Sequence, residues 1–122
     1  MSTNPIPAYS SESEIEAVVK GFEDCTTPKD DFTHRLHLTV GVWYIWHSDT
    51  LAFEKMRGGL LRFLGHHEVP LSKYQEGLTI SWLELIRKTM QECEDSASLT
   101  EVTNYIVNRL SDSSLVPKKP LR

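Results

Sequence analysis

Cysteine is scarce in this sequence, since the 122 residues include only Cys25 and Cys93, which lie far apart and form no C-x-x-C pair. Such usage is typical of reduced intracellular thiols and differs from the cysteine spacing of a disulfide framework or a zinc module. A chain of this length buries enough surface to fold without a disulfide or a structural metal. We therefore expect a cytoplasmic protein in which any bound metal has a functional role.

The sequence also lacks a long hydrophobic run and an excess of basic residues. Its longest nearly unbroken apolar segment, residues 38–46, is about half as long as a membrane-spanning helix, and no secretory signal is visible. The 17 acidic residues outnumber the 13 basic ones, and no internal lysine and arginine cluster offers a face for a phosphate backbone. We expect neither a membrane nor a nucleic acid as a partner, and the oligomeric state is open.

Both ends of the chain are poor in aliphatic residues, whereas the segment between them has a helical period. Residues 1–13 and 111–122 are rich in serine and proline, and they are predicted to be flexible tails on either side of one domain, residues 14–110. Within that domain, apolar residues recur at the three- and four-residue spacing of amphipathic helices. We predict a compact all-α bundle of five helices.

Capping residues and glycine stops indicate approximate bounds for the five helices. In chain order, the predicted helices span residues 11 or 13 to 24, 34–47, 48 or 49 to 65, 72–94 and 98–110. The second helix is apolar nearly all round, which favours the centre of the bundle over a buried strand, because a lone strand would have no partner. Gly58 and Gly59 inside the third helix predict the close approach of a neighbouring helix.

A pair of histidines is the first candidate for chemistry. The sequence contains no P-loop, dinucleotide fingerprint, zincin motif or nucleophile elbow, so most large enzyme classes are disfavoured. Residues 32–38, which read F-T-H-R-L-H-L, place His34 and His37 on one face of the apolar helix, where they could share a substrate or a metal ion. The helix dipole there favours the neutral imidazole, which accepts protons and ligates metals. The alternative is a polar helix start, with His34 exposed and His37 bonded to a backbone carbonyl.

A second group is expected from a facing helix, because sites inside bundles draw side chains from more than one helix. The best candidates are Tyr74, Gln75 and Glu76 at the start of the fourth helix. Glu76 is either a carboxylate of the site or a solvated first-turn acid. Trp43 and Trp82 are candidates for an apolar wall, although tryptophans at helical spacing are usually core residues.

The two segments resemble motifs of a family of small, largely uncharacterised helical bacterial proteins. That family has F-T-H-x-x-H-L before an apolar helix and later Y-H-E-x-x-T before a tryptophan. The second motif reads Y-Q-E-G-L-T here, at residues 74–79, and is followed by Trp82. The resemblance spans about residues 30 to 105. It implies an all-α fold in which the two segments lie close together. It does not indicate a reaction, because no activity is established for the family. Gln75 stands where the family has histidine. Because an amide oxygen is a weaker ligand of transition metals than an imidazole, the possible metal ligands of this chain form a weaker site.

Three functions are compatible with these residues. The first is acid/base catalysis without a cofactor, such as isomerisation, cyclisation or dehydration of a small organic substrate, with His34, His37 and Glu76 as proton-transfer groups and Tyr74 and Gln75 as substrate-binding groups. The second is a metal site in which His34, His37 and Glu76 ligate Zn²⁺, Ni²⁺ or Fe²⁺. The third is a non-catalytic module for a protein partner, in which the cluster is a buried polar network.

Overall fold

A computed structural model describes residues 7–115, and the regular secondary structure of this part of the chain is all helical, without a strand. Its α-helices are α1 (Glu12–Glu23), α2 (His34–Ser48), α3 (Ala52–His66), α4 (Glu76–Met90) and α5 (Leu99–Arg109). Short 3₁₀ turns lie at Lys29–Asp31, Asp49–Leu51, Leu71–Lys73 and Ser113–Leu115. The predicted all-α class is therefore confirmed for the described residues. None of their helices is both long and apolar enough to span a membrane.

The helix bounds differ from the predicted ones at the starts of α3 and α4, where a 3₁₀ turn replaces the expected first helical turn, and at the end of α4, which lies at Met90 and not at residue 94. α3 begins at Ala52 because residues 49–51 form such a turn, and α4 begins at Glu76 because Pro70 opens another one. The predicted capping box of α5 is present: the Glu101 N–H donates to Ser98 Oγ at 3.1 Å, and the Ser98 N–H donates to Glu101 Oε1 at 2.8 Å.

α2 lies at the centre of the domain and contacts each of the other four helices. Its buried residues come from every side of the helix: Leu38, Thr39, Val40, Gly41, Val42, Tyr44 and Ile45. A helix with apolar residues all round must be covered on all faces, so the other helices pack around α2 and supply the rest of the core.

An aromatic cluster fills the region where α1, α3 and the chain before α2 meet. The ring centroids of Phe22 and Phe32 lie 4.8 Å apart, and those of Phe32 and Phe63 lie 4.9 Å apart. Gly59 faces this cluster, whereas Gly58 faces open space. The close approach predicted for the glycine pair therefore applies to Gly59.

The N-terminal segment that precedes α1 is docked onto the domain. The Tyr9 N–H donates to Asn104 Oδ1 at 2.8 Å, and the Tyr9 carbonyl accepts from Asn104 Nδ2 at 3.0 Å. The Tyr9 hydroxyl lies 2.9 Å from Thr39 Oγ1, and the Arg35 guanidinium lies 4.4 Å from the centre of the Tyr9 ring. Residues 7–13, which the sequence predicts as a flexible tail, thus include a segment that is hydrogen-bonded to α5 and the first residues of α1. The remaining parts of the two predicted tails, residues 1–6 and 116–122, lie outside the described residues.

Candidate functional site

A cavity of about 530 Å³ lies between α2, α3 and α4. Most of its lining is apolar, and the buried residues that form its floor are Leu38, Gly41, Met56, Phe63, Leu83 and Ile86. Its polar lining residues are Lys29, His34, His37, Lys73, Gln75 and Thr79. A largely apolar recess of this size with a few polar groups is typical of a small-molecule site.

His37 lies in the α2 wall of the cavity with a fixed ring orientation. Its Nδ1 donates to the Thr33 carbonyl oxygen at 3.0 Å, and its ring centroid lies 4.1 Å from that of Phe32. Burial lowers the pKa of His37 below its ordinary value of 6.5; the hydrogen bond to Thr33 opposes this shift, and the charge of nearby His34 adds to it. A neutral imidazole that donates from Nδ1 has its lone pair on Nε2. His37 is therefore neutral at neutral pH, and its Nε2 can accept a hydrogen bond or a proton.

His34, one turn earlier in α2, lines the same cavity. Its Nε2 donates to the Leu110 carbonyl oxygen at 2.8 Å, which connects α2 to the end of α5. Its ring and that of Trp82 meet in an edge-to-face arrangement, with the ring centroids 5.0 Å apart. Because Nε2 carries the hydrogen, the neutral ring of His34 has its lone pair on Nδ1. The histidine pair thus shares one cavity, and each ring also has a backbone carbonyl partner.

Glu76 does not line the cavity. Its Oε1 accepts a hydrogen bond from Arg57 Nε at 2.8 Å, and the two side chains are about half exposed, at 53% and 49%. The first turn of α4 thus pairs Glu76 with Arg57 of α3, away from the lining that the predicted partners His34 and His37 share. Among residues 7–115, no three histidine, cysteine, aspartate or glutamate side chains come together as a metal site requires. The predicted metal ligands His34, His37 and Glu76 therefore do not form such a group in residues 7–115.

The four predicted substrate-binding residues divide into two pairs. Gln75 and Trp82 line the cavity, whereas Tyr74 and Trp43 do not. Trp43 packs instead against His47, with ring centroids 4.3 Å apart. It follows His34 by about two and a half helical turns and so projects from the opposite side of α2. Tyr74 precedes α4 in extended backbone and buries its hydroxyl outside the cavity; burial raises the pKa of this hydroxyl.

Three polar residues of the cavity were not predicted from the sequence: Lys29, Lys73 and Thr79. Lys29 and Lys73 belong to the 3₁₀ turns before α2 and α4, and both side chains are exposed. A three-residue turn is too short to show a period, so apolar periodicity cannot orient its side chains. The available signal was the proline that opens each turn, Pro28 or Pro70. Thr79 follows Gln75 by one turn, and its hydroxyl donates to the Gln75 carbonyl at 3.2 Å.

Comparisons of the chain with models of protein families, with curated proteins and with solved structures gave no match. The resemblance of residues 32–38 and 74–79 to a helical bacterial family stays a prediction. The geometry of the cavity is therefore the basis for a proposed function.

Proposed function

We propose that the protein binds a small organic molecule in the cavity between α2, α3 and α4, and that His37 accepts a proton from it. The state of His37 supports this most strongly: its ring is neutral at neutral pH, its Nδ1 is bonded to Thr33, and its Nε2 remains for the bound molecule. A general base must be unprotonated and held in a fixed orientation beside the substrate. The reaction class is a proton transfer, as in isomerisation, cyclisation or dehydration.

Gln75 and Thr79 are the groups that would orient the bound molecule. The Gln75 carboxamide has both donors and an acceptor, and the Thr79 side chain lines the cavity one turn further along the chain. Trp82 adds an aromatic face next to the ring of His34. In this proposal Gln75 keeps the substrate-binding role that the sequence predicted for it, and Thr79 takes the role predicted for Tyr74.

A protein-interaction module is the less favoured function. Among the residues that the structure describes, the exposed large hydrophobic side chains belong to four different elements: Trp46 in α2, Leu51 and Leu71 in two 3₁₀ turns, and Tyr105 in α5. The Tyr105 hydroxyl is also hydrogen-bonded to Glu92. Single exposed hydrophobics are normal on a soluble protein, whereas a partner surface presents a contiguous patch.

Binding is tested with naphthalene and naphthol, which differ only by one hydroxyl. We expect saturable binding of both, seen by NMR as a shift of the Trp82 indole N–H with little change at Trp46. Leu60→Trp places bulk in the cavity and should weaken both affinities at least about tenfold. Leu61→Trp is the matched control, since the adjacent Leu61 does not line the cavity. Absence of saturable binding, or equal binding by Leu60→Trp, would contradict the proposed site.

The role of His37 is tested with the same pair of molecules. If Nε2 accepts a hydrogen bond from the ligand, naphthol should bind up to about tenfold more tightly than naphthalene, as one hydrogen bond allows. In His37→Leu that advantage should vanish while naphthalene binding is kept. If naphthol still binds more tightly than naphthalene to His37→Leu, its hydroxyl is hydrogen-bonded to another residue, and the proposed role of His37 is wrong.

A further inference from the structure

We propose that the ligand of this cavity is an amphipathic anion, with an apolar body on the cavity floor and an anionic head group beside Lys29 and Lys73 at the mouth. An alkyl carboxylate is the simplest member of this class. The inference rests on the proposed function in one respect only, namely that the cavity binds a small molecule.

The first observation is that the polarity of the cavity follows its depth. Its exposed lining residues are Lys29, Lys73 and Gln75, all of which are polar. Its buried lining residues are all apolar, with Gly41 as the smallest. The cavity therefore has a polar mouth and an apolar floor, and a ligand that satisfies both must itself be polar at one end only.

The second observation is the sign of the charge at the mouth. No acidic side chain of residues 7–115 lines the cavity, although the chain as a whole has a formal net charge of −4. Asp30 and Asp31 follow Lys29 in its turn and are exposed, but they do not line the cavity. Within the described part of the chain, the ion pairs are formed by Arg57, Arg87 and Arg109, and neither cavity lysine belongs to one. Two ammonium groups are thus available to a ligand.

The energetics favour this orientation of the ligand over its reverse. An anion at the mouth stays partly in water and is attracted to both lysines, so its desolvation cost is small. The same anion on the floor would be buried among aliphatic side chains without a partner. The apolar body gains affinity from burial, by about fourfold for each methylene that leaves water. A neutral ligand of equal size would gain affinity only from burial of its apolar body on the cavity floor, and none from the charge of the two lysines.

The inference is tested by titrating the full-length protein with decanoate and decanol, which share a chain length and differ in charge. We expect decanoate to bind at least about tenfold more tightly at low salt, and the difference to shrink as salt screens the mouth. In the series hexanoate, octanoate, decanoate, affinity should rise by about fourfold per methylene until the floor is filled. The shift of the Trp82 indole N–H locates the binding.

The role of the mouth is tested with two double variants. Lys29→Gln with Lys73→Gln should remove the preference for decanoate and leave decanol binding unchanged. Lys55→Gln with Lys88→Gln is the matched control, because these lysines are exposed on α3 and α4 and do not line the cavity. Equal binding of decanol and decanoate, or a preference that survives the loss of both mouth lysines, overturns the inference.

The outcome separates the inference from the proposed function on which it rests. If naphthalene and decanol bind in the cavity but decanoate has no advantage, the cavity is a small-molecule site and the anionic head group is wrong. If neither of these molecules nor decanoate binds, the proposed function fails first and the inference fails with it.

Discussion

The ring of Phe22 occupies the space in which a side chain at Gly59 would begin. A Cβ on Gly59 would lie 2.5 Å from Phe22 Cε2 and 2.7 Å from its Cζ. Phe22 is fully buried and packs against Phe32 and Phe63, so its ring has little room to retreat. The preceding glycine is different, because a Cβ on Gly58 would meet nothing within 4 Å. Two adjacent glycines of α3 therefore have unequal roles.

Alanine at these two positions should change stability in opposite directions. Gly59→Ala forces overpacking against Phe22 and should lower the free energy of unfolding by about 1–3 kcal/mol. Gly58→Ala removes a poor helix former from an open position and should raise it by about 0.5–1 kcal/mol. Urea denaturation of the wild type and the two variants measures these free energies of unfolding. A shift of the same sign in both would show that the approach of Phe22 is not what requires glycine.

Removal of the Glu76 carboxylate should have a small effect that depends on salt. Glu76 and Arg57 form a half-exposed ion pair, and Glu76 also lies at the positive end of the α4 dipole; both interactions are weak and screened at the surface. The denaturation midpoint of Glu76→Ala should fall slightly at low salt and approach that of the wild type at high salt. Glu84→Ala, an exposed position later in α4, serves as the control. A large loss independent of salt would place Glu76 in a buried network.

Acid should destabilise the protein through His37. Burial lowers the pKa of His37 below 6.5, so the unfolded chain binds this proton more readily than the folded one. The free energy of unfolding should therefore fall as the pH drops below 6.5, and the fall should end once the folded ring is protonated. His37→Gln removes this dependence, so the stability difference between wild type and variant should change only within that window. NMR titration of the ring should give a pKa below 6.5; a higher value would contradict the burial effect.

The docking of the N-terminal segment should depend on one side chain of α5. Asn104 exchanges two hydrogen bonds with the Tyr9 backbone, so Asn104→Ala should increase hydrogen exchange of the Tyr9 amide by at least about tenfold. Asn108→Ala, one helical turn later on an exposed position, should leave that amide protected. Equal exchange in both variants would mean that the contacts of the Tyr9 side chain hold the segment by themselves.

Periodic features of the sequence were predictable, and features that depend on the meeting of separate elements were not. The apolar character of α2 predicted its central position in the domain. The three-residue spacing of His34 and His37 predicted that both side chains lie on one face of α2, and both line the same cavity. The direction of Glu76 depends on how the first turn of α4 meets α3, which no spacing within α4 encodes. Lys29 and Lys73 reach the cavity from turns without a period, and the pairing of Tyr9 with Asn104 joins residues far apart in the chain.

The central position of α2 divides the site into a part that tolerates change and a part that does not. α2 bears both histidines and also fills the middle of the core, so substitutions along it endanger folding. The facing residues Leu60, Leu64 and Leu78 are only partly buried and can be exchanged for side chains of other sizes at lower cost. The size and shape of the cavity can thus change through α3 and α4 while the imidazoles stay in place. A combinatorial library at these three leucines, with α2 unchanged, is the natural starting point for directed evolution of new ligand preferences in this scaffold.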